Sequence, residues 1–469
     1  MKRYRNLLFY VVTLLLAGAA MWYIITQGNL LQSSKSIKSI IESKPALGKP
    51  FTAILAENIQ APLTILLLQI TTILLAGRCM GWLFRKINQP AVVGEMAAGI
   101  LLGASFLGHY LPEVSQFIFP PKSIGTLNLL SQIGLVLFMF IVGLELDMGM
   151  LKGKTNTAVV ISHASIVAPF TLGIGLAYYT YNSYAPAGIQ FLSYALFVGI
   201  SMSITAFPVL ARIIQERGLS KTNLGTIAIT CAAADDVTAW CILALVIAVV
   251  KAGSAWSALY TILLAVAYVL LMLKVVKPLL KKRGKQLSGT HIPVTVLATY
   301  IVVLIGSAYL TDAIGIHALF GAFMAGIVMP SDMRFRNFFI EKIESVALFL
   351  LLPLFFVSTG LRTQIGLLNS AEHWWLCGLI LVIAVMAKFG VSSAAARYTG
   401  QSWKESLQIG ALMNTRGLTE LVVLNIGYDL GVITPQIFTM LVIMALTTTL
   451  MTGPLLNLIN RVFKTKTTQ

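Results

Sequence analysis

Asp235 and Asp236 stand side by side about ten residues into an apolar stretch, Ala232-Ala-Ala-Asp235-Asp236-Val-Thr-Ala-Trp240. A carboxylate at the centre of a membrane-spanning helix costs roughly 2.5–3.5 kcal/mol. Two in succession point to chemistry rather than packing, because a purely structural role would need two buried bases to match them. The chain offers two bases inside apolar runs. They are Lys388 in Val385-Met-Ala-Lys388-Phe-Gly390 and Arg416 in Gly410-Ala-Leu-Met-Asn-Thr-Arg-Gly417. A buried carboxyl holds a proton or, once ionised, a hard cation that favours oxygen ligands. Competition for one such group couples the movement of the two ions without separate gates. Successive helix residues point about 100° apart, so one Asp can face a cation while the other faces a base. Lys388, too deep to snorkel, is the expected partner of Asp235. Arg416 does not deprotonate in practice, and Glu420 one turn later is its expected partner, mainly for structure. Thr205 and Ser203, in Ser201-Met-Ser-Ile-Thr-Ala-Phe-Pro208, are expected to complete the oxygen shell of a monovalent cation held by Asp236 and Asp235. Glu95, Glu145 and Asp147 are expected to act as funnel or helix-capping groups, and His163 and His317 as packed histidines.

The elements that carry these residues must be membrane helices. Hydrophobic residues make up 57% of the 469 and charged residues only 11%, against roughly 25% charged in soluble domains. Apolar runs of about 20 residues, the length that spans a hydrocarbon core, recur from end to end. The net charge of +17 does not imply nucleic acid, because basic residues crowd the cytoplasmic loops of membrane proteins. The four cysteines, Cys79, Cys231, Cys241 and Cys377, lie in or beside apolar runs and are expected to be buried thiols. The first apolar run follows Met1-Lys2-Arg3-Tyr4-Arg5, so residues 1–27 read as a signal anchor or a cleaved signal peptide. Residues 28–60 read as an extracytoplasmic linker.

Thirteen further spans are expected near 61–84, 90–109, 124–149, 157–179, 188–214, 223–250, 255–279, 292–311, 313–330, 342–362, 374–398, 405–430 and 435–463. They form one domain over 61–463, followed by a tail at 464–469. The charges orient it. Twenty-five of the 34 Lys and Arg residues fall at the N-terminus or in alternate loops, and seven fall on the other side. The two left over are Lys388 and Arg416. This asymmetry predicts a multi-pass protein of the cell (inner) membrane with its C-terminus in the cytoplasm.

The spans also repeat. Ala91, Gly94, Ala98, Gly99 and Ile100 match Ala318, Gly321, Ala325, Gly326 and Ile327, while Leu137, Phe138, Gly143 and Leu144 match Leu354, Phe355, Gly360 and Leu361. Each pair is seven spans apart, an odd number, so the copies run in opposite directions, as in secondary transporters. The fifth and twelfth spans each carry helix-breaking residues. Pro208 removes a backbone donor. Asn414, Thr415 and Gly417 weaken the helix by competing hydrogen bonds and backbone freedom. The expected fold is therefore an all-α polytopic membrane protein of inverted repeats with two crossed, broken helices. No catalytic constellation of an enzyme is present, and no cofactor is expected. A channel or a symporter on the same repeat is the competing class, although a channel has no need of a titrating Asp pair beside a buried Lys.

A set of motifs resembles a known family. These are Pro90-Ala-Val-Val-Gly-Glu-Met-Ala-Ala-Gly-Ile-Leu-Leu-Gly103, Gly143-Leu-Glu-Leu-Asp147, Thr205-Ala-Phe-Pro-Val-Leu-Ala-Arg212 and Asp235-Asp236, with Gly315-Ile-His-Ala-Leu-Phe-Gly-Ala-Phe-Met-Ala-Gly326, Leu352-Pro-Leu-Phe-Phe356 and Asn414-Thr-Arg-Gly-Leu-Thr-Glu-Leu421. As a set they are similar to the monovalent cation:proton antiporter superfamily, in the branch of plant CHX exchangers, Kef-type potassium systems and NapA-type sodium/proton antiporters. The likeness covers residues 61–463. It implies a homodimer, a mobile core working as an elevator, and exchange of H+ for Na+ or K+ with Asp236 as the essential carrier. It also implies that Asp235 sits where some members carry Asn, and that an Asp pair with a matching Lys, here Lys388, accompanies electrogenic exchange. Kef-type systems add a cytoplasmic nucleotide-binding domain. Gating through such a domain is not expected here.

Overall fold

The computed structural model describes residues 12, 15–27, 50–87, 89–145, 155–219, 222–252, 255–284, 294–330 and 333–464. Among these every regular element is helical. Asp147, most of the linker and residues 465–469 lie outside the described residues. Residues 1–64 and 65–469 form two compact units. The first holds an apolar helix, Leu15–Gln27, and a second helix, Phe51–Ile59, within the stretch expected to be linker.

The main helices from Pro62 onward are α1 (Pro62–Lys86), α2 (Ala91–Leu102), α3 (Pro121–Glu145), α4 (Thr155–Tyr184), α5 (Phe191–Ser203), α6 (Phe207–Glu216), α7 (Asn223–Ala252), α8 (Ala255–Leu271), α9 (Val294–Ile314), α10 (Ala318–Val328), α11 (Leu352–Arg362), α12 (Ala371–Val385), α13 (Val391–Tyr398), α14 (Trp403–Met413), α15 (Leu418–Asp429) and α16 (Pro435–Lys464). Among the described residues, 11 helices are long and apolar enough to cross a membrane. They correspond to eleven of the thirteen expected spans. The other two fall short of that length, and the fifth, counted as one stretch over Phe191–Ala211, is itself interrupted at 204–206. The ninth span is α10, 11 residues long, which rises about 16 Å and covers roughly half a hydrocarbon core. Before it the chain turns at Gly315 and His317, both with positive φ. The twelfth span is split into α14 and α15.

The helices pack in two groups. One is built on α2, α3, α9, α10 and α11, the other on α4, α5, α7, α13, α14 and α16, and α8 touches both through α7 and α9. The first group is closed by two glycine crossings. A Cβ on Gly99 would collide with the Val357 carbonyl and Gly360 Cα, and one on Gly326 would collide with the Phe140 carbonyl and Gly143 Cα. Only glycine permits so close a backbone approach. The contacts are reciprocal. Gly99 matches Gly326 and Gly360 matches Gly143 in the sequence repeat, so each copy packs its second span on the third span of the other.

The two groups meet differently at their two ends. At one end a cavity of about 400 Å³ lies between them, with Glu145 and Glu344 on one wall and Phe207, Pro208 and Leu418 on the other. At the other end the space is about 40 Å³, and side chains tie the groups together. Arg362 pairs with Asp429 at 2.8 Å and donates to Asn425 Oδ1 at 2.9 Å. Asn425 in turn donates to Thr359 Oγ1 at 2.9 Å. One expectation fails outright: Cys79 and Cys241 are exposed, and only Cys231 and Cys377 are buried. Cys79 and Cys241 sit on outward faces of α1 and α7, where lipid-facing surface is as apolar as an interior.

Candidate functional site

The fifth span breaks at residues 204–206, between α5 and α6, and the twelfth at 414–417, between α14 and α15. The two breaks touch, since the Ala206 amide donates to the Thr415 carbonyl at 3.2 Å. Pro208 does not act as expected. It lies in the first turn of α6, where its missing N–H would have had no partner anyway, and the break precedes it. α14 begins on a capping box, Ser402 with Glu405, and ends at Asn414, a residue that competes with the helix for hydrogen bonds.

A helix end leaves its last four carbonyls without partners. At the end of α5, deep in the molecule, two fully buried bases supply three of them. Arg416 donates to Ser201 O at 3.1 Å and to Met202 O at 2.7 Å, while Lys388 Nζ donates to Ser203 O at 2.5 Å. The negative end of the half-helix dipole is thereby met by positive charge. Arg416 also pairs with Glu420 at 3.0 Å, both fully buried. The expected pair is present, but capping α5 is an equal part of what Arg416 does.

Lys388 lies in a π-helical turn, Met386–Gly390, that joins α12 to α13. Its Nζ is 3.2 Å from Asp235 Oδ2, and both side chains are fully buried. Lys388 also donates to Ser165 O at 2.9 Å. That carbonyl is free because the residue four places on is Pro169, a proline inside α4 that has no N–H to give it.

Asp235 and Asp236 sit midway along the 30-residue α7, both fully buried. Asp235 is saturated. Its Oδ1 accepts from Ser162 Oγ at 2.6 Å. Its Oδ2 accepts from Ser165 Oγ at 2.7 Å, from Thr205 Oγ1 at 2.7 Å and from Lys388. Asp236 is bare, for neither of its oxygens has a hydrogen-bond partner. The Phe207 amide and the Thr419 hydroxyl, at the starts of α6 and α15, face it without reaching hydrogen-bond geometry. Two half-helix N-termini, the positive ends of their dipoles, thus surround an unpartnered carboxylate. Phe207 and Leu418 in turn floor the 400 Å³ cavity.

Of the residues expected here, Asp235, Lys388 and Thr205 come together around one carboxylate, and Asp236 stands apart from them. Ser203 offers its carbonyl to Lys388, and its hydroxyl donates to Gly199 O at 2.7 Å, which leaves the hydroxyl oxygen's lone pairs as acceptors. Thr415 meets Thr452 at 3.1 Å, and the Asn414 amide is buried with both polar atoms unpartnered. Glu145 is exposed on the cavity wall and Glu95 is half-buried. His163 is exposed and contacts its own helix at Val159 O. His317 caps α10. Sequence reading missed Ser162 and Ser165. The signal was Ser-x-x-Ser one turn ahead of a mid-span proline, Ser162-His-Ala-Ser165-Ile-Val-Ala-Pro169.

The family model described as sodium/hydrogen exchanger, transmembrane, matches residues 70–459. The chain is 42% identical over 398 residues to the Na(+)/H(+) antiporter NhaS4 of Synechocystis, covering 84% of this chain and 96% of that protein. It is 41% identical over 402 residues to cation/H(+) antiporter 17 of Arabidopsis thaliana, covering 85% of this chain and 49% of the relative. It therefore spans about half the length of the plant protein. The structure of the sodium proton antiporter MjNhaP1 from Methanocaldococcus jannaschii at pH 8 superposes with a TM-score of 0.63 at 14% identity, over 84% of this chain and 96% of that one, a likeness of fold.

Proposed function

The chain belongs to the transmembrane sodium/hydrogen exchanger family, and from that premise we propose that it exchanges protons for Na+ or K+ across the membrane, the two ions competing for Asp236. The observation that carries this reading is the contrast at mid-helix. Asp236 is fully buried and has no hydrogen-bond partner, whereas Asp235 is saturated by three hydroxyls and Lys388. An ionised carboxylate with no donor needs a proton or a cation. Thr205 donates its proton to Asp235 and keeps its oxygen lone pairs, so its hydroxyl oxygen stands with carbonyls and water at the two breaks as a ligand for the cation.

Alternating access follows from the two groups of helices. The reciprocal glycine crossings support an inverted repeat, and the backbone contact between the two breaks supports their crossing. The α4–α7–α14 group acts as the core that rises and falls against the α2–α3–α11 frame. The conformation described has its cavity at the end bearing Glu145 and Glu344, the cytoplasmic end by the charge asymmetry. Its Arg362–Asp429 ties lie at the extracytoplasmic end. The chain is read as a homodimer in the cell (inner) membrane, with its C-terminus in the cytoplasm and the exchanger domain at 61–463.

Purified protein in liposomes with an internal pH dye tests the reading. Addition of Na+ or K+ should move protons the opposite way. Raising the proton concentration on the cation side should raise the apparent KM for the cation while leaving the maximal rate unchanged. Cation flux without counter-movement of protons would indicate a channel, and movement of both ions in one direction a symporter.

A further inference from the structure

The two copies of the repeat close the molecule unequally. Glu145 is the last residue of α3 and Arg362 the last of α11. They are equivalents, because Gly143 and Leu144 match Gly360 and Leu361. The half-helices after the breaks also correspond. Gly199 and Met202 match Gly410 and Met413, and at the same spacing Phe207, which begins α6, falls on Leu418, which begins α15. Carried further, Asn425, Tyr428 and Asp429 fall on Ile214, Arg217 and Gly218. At the closed end Arg362 lies against all three of its set. It bonds Asp429 at 2.8 Å and Asn425 at 2.9 Å, and its guanidinium carbon is 5.5 Å from the centre of the Tyr428 ring. At the open end Glu145 and Gln215, in the last turn of α6, line opposite sides of the cavity of about 400 Å³.

Resting on the exchanger reading above, we propose that Glu145 and Arg217 form the ion pair that closes the cytoplasmic end when the extracytoplasmic end opens. The copies of an inverted repeat run oppositely, so an exchange of their arrangements turns the open end into the closed one. Glu145 then lies as Arg362 lies now, against Ile214, Arg217 and Gly218. Of these, Arg217 alone has a side chain that donates to a carboxylate. The sign is reversed between the copies: the base stands on the frame and the acid on the core at one end, the acid on the frame and the base on the core at the other. Each pair forms in one conformation only, and the two bias the exchange of conformations in opposite directions. In the conformation described, Arg217 donates to Asn457 Oδ1 at 2.7 Å and to Gly453 O at 3.2 Å. Both acceptors are neutral, and a guanidinium bonds a carboxylate more strongly. Its five N–H donors let it take Glu145 without giving up α16. Glu344, on the same wall as Glu145, adds to the attraction.

The test is cross-linking in membranes. Glu145→Cys with Arg217→Cys and, separately, Arg362→Cys with Asp429→Cys are treated with a short, cleavable bis-methanethiosulfonate beside the parent chain. Both pairs should link, each link should stop exchange, and a reductant should restore it. Failure of positions 145 and 217 to link where 362 and 429 do would overturn the proposal. Charge variants read the balance without cysteines, in right-side-out and everted vesicles. The ratio of the apparent cation KM at the extracytoplasmic face to that at the cytoplasmic face follows the ratio of inward-open to outward-open protein. It should rise about two- to fivefold in Glu145→Gln and fall by a similar factor in Asp429→Asn. Glu145→Arg together with Arg217→Glu should restore the ratio that each change alone disturbs. A fall of the ratio in Glu145→Gln, the mark of a funnel charge only, would overturn the proposal, as would a double exchange no nearer wild type than the single ones. Should wild-type vesicles show no coupled exchange, it is the exchanger reading that fails, and the pattern of cross-links still decides the pairing.

Discussion

The surroundings of Asp235 and of Asp236 differ as much as two buried sites can, although the residues are neighbours in the chain. One carboxylate is held by four donors from α4, the α5–α6 break and the π turn. The other faces the starts of α6 and α15 and has no hydrogen-bond partner. The helix geometry accounts for the split: a turn of about 100° between successive residues sends one side chain toward the closing ends of the broken helices and the other toward their opening ends. A single continuous α7 can thus carry a fixed charge and a vacant one within one residue, and the two can be perturbed separately.

The largest effect is expected at the vacant carboxylate. Asp236→Asn should abolish coupled exchange in liposomes. Because Asp236 makes no hydrogen bond, the same change should not lower the melting temperature. A variant that loses activity and also melts early would mean that Asp236 is held by something in the fold. Next comes Lys388→Gln, which removes one partner of a buried pair. Such losses commonly cost ~3–5 kcal/mol, eased here because Asp235 keeps three hydroxyl donors. This variant should still exchange, but with its pH midpoint shifted and its rate no longer responsive to membrane potential, normally worth ~2.3 kcal/mol per charge per 100 mV. An unchanged voltage response in a folded protein would remove Lys388 from the cycle. Asp235→Asn should resemble it more mildly. The amide oxygen still accepts hydroxyl protons and the lysine keeps its two carbonyls, so exchange should persist with reduced voltage dependence and a smaller loss of stability. Complete inactivation by this change would break the division of labour between the two carboxylates. The smallest effect is expected from Thr205→Val. It deletes one of three hydroxyls on Asp235 and should cost about 1 kcal/mol in thermal unfolding, with exchange retained.

Much of this was legible in the sequence. The Asp pair, the two stray bases and the repeat were visible because charge is costly in lipid and because glycine at a crossing has no substitute. Gly99, Gly143, Gly326 and Gly360 could be matched across the repeat by residue type and spacing alone, since close backbone approach is the one thing a side chain cannot imitate. What was not legible depended on which atoms of a residue are used. Ser203 was expected to lend its hydroxyl, and the use of its carbonyl by Lys388 was not foreseen. Arg416 was assigned to Glu420 and spends two further hydrogen bonds on the end of α5. Pro208 was expected to break a helix and instead begins one, because a proline marks a break only to within a turn. Ser162 and Ser165 were passed over for a plainer reason: serine in a membrane helix ordinarily bonds to its own backbone, and their spacing ahead of Pro169 marks the pair without naming a partner 70 residues away.

The π-helical turn that holds Lys388 has a consequence for comparing this chain with others. A π turn contains one residue more than the α-helical turn it replaces. Deleting a single residue between Met386 and Gly390 would restore a regular helix. Because the extra residue is absorbed within that one turn, the shorter chain would keep the facing of α13, with Ser393 still against Gly410 on α14, where the packing leaves no room for a methyl group. What residue count sets is therefore the local bulge that carries Lys388, not the contacts beyond it. An alignment that places that one-residue gap elsewhere in the span would misplace every residue between the two gap positions, and no others.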